Sequence, residues 1–192
     1  MVGEKIMTIE DKVYLVVKNR CEQPTNAYGI GAWDHHIKTV YELAKQYAND
    51  YGADYEIVSL ASLLHDIASV TDVGYTEEHH IIGAKIAEEI LMQENYPSKK
   101  IDLIKKCILN HRGSRLVDKT SNEEVCVADC DAMAHFYSIP SLLSMVYREK
   151  NLSIDEGSKF VLDKLERSYN KMSEKGKQLV KVQYEAAKSI LK

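Results

Sequence analysis

The sequence predicts an all-α fold, and three observations carry that prediction. Breakers are scarce, with 3 prolines and 9 glycines in 192 residues, so helices can run long. Apolar residues recur at helical spacing along nearly the whole chain. Runs with strand character, such as VYLVV at 13–17, lie inside longer helical patterns. With 45% hydrophobic residues, a chain of this length can bury one core. It reads as a single helical bundle over 1–192, with about eight or nine helices.

The first helix covers IEDKVYLVVKNRCE. The loop EQPTNAYGIGAW follows, with a proline and two glycines. The second helix runs from about Asp34 to Tyr51 and places His36, Val40, Leu43 and Tyr47 on one stripe. The third spans Tyr55 to Ala68, with Ile57, Ala61 and Leu64 inward. The fourth covers about 76–94, where His79, Ile82, Ile86 and Ile90 share a face, and Tyr96-Pro97-Ser98 breaks the chain after it. Ile101, Ile104, Ile108 and His111 align on the fifth, over about 100–111. Val125, Ala128, Asp129, Ala132 and Phe136 align on the sixth, over about 122–136. Past Pro140, helical segments are expected near 141–150, 155–170 and 174–191, packing on the core.

The net charge of -4 gives no basic footprint for nucleic acid. No apolar run reaches the roughly 18 residues of a membrane span. The four cysteines (Cys21, Cys107, Cys126 and Cys130) form no CxxC pair, and the first residues lack a signal-peptide core. The thiols therefore read as reduced, buried and cytoplasmic. No Walker-type loop, GxSxG or HExxH occurs.

What stands out is a series of imidazoles and carboxylates on successive apolar faces. They are His36, the doublet His65-Asp66, His79 or His80, His111, and Asp129. A buried polar group costs free energy unless it is partnered. Five helices each turning such a group inward are satisfied together by a shared cation, for which imidazole and carboxylate suit Mn, Fe, Co, Ni or Zn. The doublet is the most specific signal, because a carboxylate beside a ligating histidine can bridge two ions.

The order and spacing of HHIKTVYELAKQYA, EIVSLASLLHDIA, EEHHIIGAKIAEEIL, CILNHRGS and VCVADCDAMAHF resemble the HD superfamily of metal-dependent phosphohydrolases, over roughly 33–140. The resemblance implies an HD-domain helical bundle with metal held by His36, His65, Asp66 and Asp129. It implies that His79 and His111 help hold a second ion, with Asp66, His79 and His111 serving catalysis. His36 is favoured over His35 by its Ile-Lys-Thr-Val context. His79 is favoured over His80 because it lies four before Gly83 and shares a face with Ile82 and Ile86. Asp129 is favoured over Asp131 because it follows the apolar stripe; Asp131 is given an orienting role. His135 reads as a packed or surface residue.

The expected chemistry is hydrolysis of a small phosphate ester or nucleotide by metal-activated water, with one or two divalent ions. Arg112 and Arg115 follow His111 directly, and a guanidinium suits a phosphate group. The alternative is a metal-retaining, nucleotide-sensing module. A di-iron oxygenase rests on family analogy alone. The partner is a small phosphorylated molecule rather than nucleic acid or membrane, and the last helices can also form a homodimer surface.

Overall fold

The structure is a computed structural model that describes residues 7–29, 31–112 and 118–192. Ten α-helices and no strand occur among the described residues. The ten are α1 (Ile9–Cys21), α2 (Lys38–Tyr51), α3 (Tyr55–Leu64), α4 (Ile67–Thr71), α5 (His79–Gln93), α6 (Ser98–Asn110), α7 (Asn122–Tyr137), α8 (Ile139–Arg148), α9 (Ile154–Lys171) and α10 (Glu174–Ile190). No described helix is long and apolar enough to cross a membrane.

Local chemistry fixes where the helices begin. Thr8 and Asp11 form a reciprocal capping box on α1, and Ser153 and Glu156 do the same on α9. Asp54 opens α3 by accepting from the amides of Glu56 and Ile57. Gly52 closes α2 at φ 64, a left-handed conformation that glycine adopts without strain.

Every residue of α3 from Ile57 to Leu64 is buried. A helix apolar all round must lie inside, and α3 packs against α1, α2, α6 and α7. α2 packs on α7 and α5 on α6, while α9 and α10 lie against α7 and each other.

Two departures from regular helix matter for the site. Trp33–Ile37 forms a π turn running straight into α2. Such wide turns tend to mark functional positions. Its His35 carbonyl accepts from the Ser138 hydroxyl, which ties it to the end of α7. The second departure corrects the expected single helix over 55–68. The chain breaks at His65-Asp66, where Asp66 takes φ -108 and ψ 17, and restarts as α4. That break raises the nine expected helices to ten. It was invisible to periodicity because the apolar pattern continues through it on both sides.

Candidate metal centre

Five elements converge on one point. The π turn brings His36, the α3–α4 break brings His65 and Asp66, and the first residue of α5 is His79. His111 directly follows α6, and Asp131 stands mid-way along α7. The ligand atoms form two triads, His36–His65–Asp131 and Asp66–His79–His111, with the atoms of each within 4.8 Å of one another.

Asp66 joins the triads. Its Oδ2 lies 3.5 Å from His36 Nε2 and 3.4 Å from His65 Nε2. Its Oδ1 lies 3.6 Å from His79 Nε2 and 3.7 Å from His111 Nε2. Each oxygen thus serves one triad. A continuous helix would aim His65 and Asp66 about 100° apart; the bridge-region backbone of Asp66 turns its carboxylate back beside the His65 ring.

The imidazoles are oriented from behind. His65 Nδ1 faces the Ser62 carbonyl at 2.7 Å, His79 Nδ1 that of Thr76 at 2.8 Å, and His111 Nδ1 that of Ile108 at 2.6 Å. A carbonyl only accepts, so each Nδ1 carries the hydrogen and each ring turns its Nε2 to the centre. Yet His79 Nε2 and His111 Nε2 stand 3.3 Å apart, and His36 Nε2 and His65 Nε2 stand 3.2 Å apart. The His79 and His111 nitrogens oppose each other lone pair to lone pair, while His36 Nε2 shares a proton with the Asp66 and Asp131 carboxylates. A cation among these nitrogen and carboxylate donors relieves the first contact and takes the place of the proton in the second, and this donor set fits a divalent transition metal.

The electrostatics point the same way. Burial works against charge on both carboxylates, but His65, His111 and His36 hold Asp66 well below the usual carboxylate range. Lys171 and His36 do the same for Asp131. Burial likewise opposes a proton on His36, and Asp131 and Asp66 outweigh it, raising the ring to about 9. His111 is raised by Asp66 against its burial. His79 is lowered, by burial first. The centre is a sink for positive charge (two ionised carboxylates among four imidazoles).

The structure brings His36, His65, Asp66, His79 and His111 together as the sequence suggested. It leaves His35 exposed and His80 buried outside both triads. Asp131, and not the expected Asp129, faces the histidines. Asp129 turns away and accepts from the Tyr51 hydroxyl at 2.7 Å and from the Ser173 amide at 3.0 Å, and the Ser173 hydroxyl also donates to it. A Cβ on Gly176 would meet its Oδ2 at 2.6 Å, so the close approach of α10 requires glycine there. The stripe argument failed because α7 is buried on nearly every side, so an apolar stripe does not distinguish its faces. Arg112 donates to the Glu77 carbonyl, two residues before His79. Arg115 lies outside the described residues.

Two groups escaped the sequence reading. The His135 ring stacks on His36, with centroids 5.4 Å apart and planes 11° from parallel. Lys171 pairs with Asp131 Oδ2 at 3.2 Å. His135 stands four residues after Asp131, and that polar i, i+4 pair was the available signal. Lys171 gave none, because its contact spans forty residues.

An all-α bundle converging histidines and carboxylates on one buried point defines a metal-binding protein of the metallohydrolase type. The HD domain family's profile matches residues 33–135, more than half of the chain. The chain belongs to the HD superfamily of metal-dependent phosphohydrolases, whose members bind divalent metals. A tRNA (cytidine(56)-2'-O)-methyltransferase of Thermoplasma volcanium is 34% identical over 84 residues, 42% of this chain and 23% of that protein. Ribonuclease Y of Petrotoga mobilis is 28% identical over 108 residues, 56% of this chain and 19% of that protein. The chain thus spans less than a quarter of either curated relative. No solved structure matches it significantly.

Proposed function

We propose that this chain hydrolyses a small phosphate ester or nucleotide, using one or two divalent ions held by His36, His65, Asp66, His79, His111 and Asp131. The observation that carries this reading is the position of Asp66, with one oxygen facing each triad. Bound there, a divalent ion supplies a water of lowered pKa and offsets charge on the phosphoryl oxygens.

The chain's own residues do the rest. The Ser62, Thr76 and Ile108 carbonyls fix three rings in one tautomer, so no reorganisation precedes ligation. Asp66 and Asp131 stay ionised near neutral pH. His65 and His111 are closed off, at 0% and 3% side-chain exposure, whereas His36 and His79 keep 20% and 12%. Substrate therefore approaches along the His36–His79 edge. Arg112 stands at the His79 end of that edge and suits the phosphoryl oxygens.

The name of one relative, Ribonuclease Y, favours a second reading, a phosphodiester in RNA. One screen separates the two. The full chain with Mn²⁺, Co²⁺ or Zn²⁺ is given phenyl phosphate, mononucleotides, bis(p-nitrophenyl) phosphate and a short ribo-oligonucleotide. Phosphate release from the monoesters, lost in Asp66→Asn, is the expected result. Cleavage of the oligonucleotide alone moves the substrate to RNA. Stoichiometric metal with no turnover leaves a nucleotide-sensing module.

A further inference from the structure

We infer that Lys164 and Lys171 of α9 form a phosphate-holding wall beside this centre and select a dianionic phosphomonoester over a monoanionic diester. The inference rests on the hydrolase reading above and adds what that site recognises. α9 lies beyond the segment matched by the HD domain family, so this wall is a feature of this chain's own C-terminal part.

Two contacts dock α9 against the centre. Lys171 reaches Asp131 Oδ2 at 3.2 Å, while Oδ1 of the same carboxylate faces His36 at 3.4 Å. One turn back, Ser168 Oγ meets His135 Nδ1 at 3.0 Å, and the His135 ring stacks on His36. Lys164 precedes Ser168 by four residues and Lys171 by seven. This spacing puts all three on one helix face, so the face that touches the centre also carries Lys164.

Lys164 is only partly exposed, and no ion pair joins it to a carboxylate among the described residues. Burial lowers its pKa, the charges of Lys171 and Arg167 lower it further, and Asp131 and Asp66 offset this only in part. A shielded ammonium without a partner is costly to maintain, and an anion seated at the centre would satisfy it.

Charge balance then sets the class of anion. One divalent ion cancels Asp66 and Asp131 and leaves both ammonium charges of α9 in excess; a second ion adds two more. The one-ion surplus equals the two charges of a phosphomonoester, and either surplus exceeds the single charge of a diester.

The test is calorimetric titration of the Mn²⁺-loaded full chain with inorganic phosphate and with dimethyl phosphate, in wild type, Lys164→Met, Lys164→Arg and Lys171→Met. Wild type should bind phosphate well above dimethyl phosphate. Lys164→Met should weaken phosphate binding about tenfold or more with Mn²⁺ content and melting temperature unchanged, and Lys164→Arg should recover most of it. For phenyl phosphate, Lys164→Met should raise KM far more than it lowers kcat. Lys164 has no carboxylate partner to strand, so this variant decides the matter even where Lys171→Met fails to fold. Undiminished phosphate binding in metal-replete Lys164→Met overturns the wall, as does a wild type that binds both anions equally or neither. Lys164-dependent phosphate binding in a protein that turns over no ester leaves the wall standing and removes the hydrolase reading instead.

Discussion

The Tyr51 hydroxyl donates to Asp129 Oδ2 across 2.7 Å, and that bond fastens α2 to α7. The same carboxylate holds the amide and hydroxyl of Ser173, which caps α10. Asp129 is a structural latch two residues from a metal-facing Asp131. The two aspartates should therefore fail differently. Asp129→Ala strands a buried tyrosine hydroxyl and uncouples a helix cap, and should cost ~3 kcal/mol in urea unfolding while leaving metal stoichiometry intact. Asp131→Ala should cost ~1 kcal/mol, because Lys171 is 26% exposed and can rehydrate, but should lose metal. Elemental analysis of both variants checks this; metal loss in Asp129→Ala alone would sink the assignment.

Metal should also act on stability. Four Nε2 atoms meet in close pairs at the centre, so a cation binds the native arrangement and not the unfolded chain. Mn²⁺ at about a hundred times its Kd should add about 2.7 kcal/mol. For a chain of this size that raises Tm by roughly 5–10 °C, reversibly with EDTA. Scanning calorimetry with and without chelator reads it directly, and superimposable traces would count against any ion at the site.

The segment after His111 has its own anchor. Glu124, 1% exposed, accepts from Asn110 Nδ2 at 2.6 Å and from Thr120 Oγ1 at 2.9 Å. It clasps both ends of the connection between α6 and α7. Glu124→Ala leaves both donors unmatched and should cost ~2 kcal/mol. It should also weaken metal binding through His111, which directly follows Asn110. Denaturant midpoints together with a competitive metal titration measure both effects; unchanged metal affinity would confine Glu124 to stability.

The thiols give a pH prediction. All four cysteines are free and buried. Burial, then the charges of Asp66 and Glu22, push Cys21 from 9.0 to about 12, and burial raises Cys107 as well. An acid whose folded pKa is raised keeps its stabilising share below the unfolded value and loses it as pH climbs towards the folded one. Stability should therefore decline between about pH 9 and 12, and a thiol reagent at pH 8 should label no cysteine until denaturant is added. Rapid labelling of the native chain would contradict the packing around α1, α6 and α7.

By itself the sequence determined the helical class, most helix positions and five of the six residues that meet at the centre. Those features are written in local periodicity and in the spacing of histidines and aspartates along single helices. Tertiary structure decided the rest. It chose Asp131 over Asp129, because α7 is buried nearly all round and only its neighbours show which face looks at the histidines. It broke the helix at His65-Asp66, where the apolar pattern runs on unchanged but the backbone turns to put both side chains on one point. It also set Lys171 against Asp131 and His135 against His36. Contacts between residues far apart in the chain leave no trace in periodicity, because each side chain satisfies its own helix equally well before the helices pack.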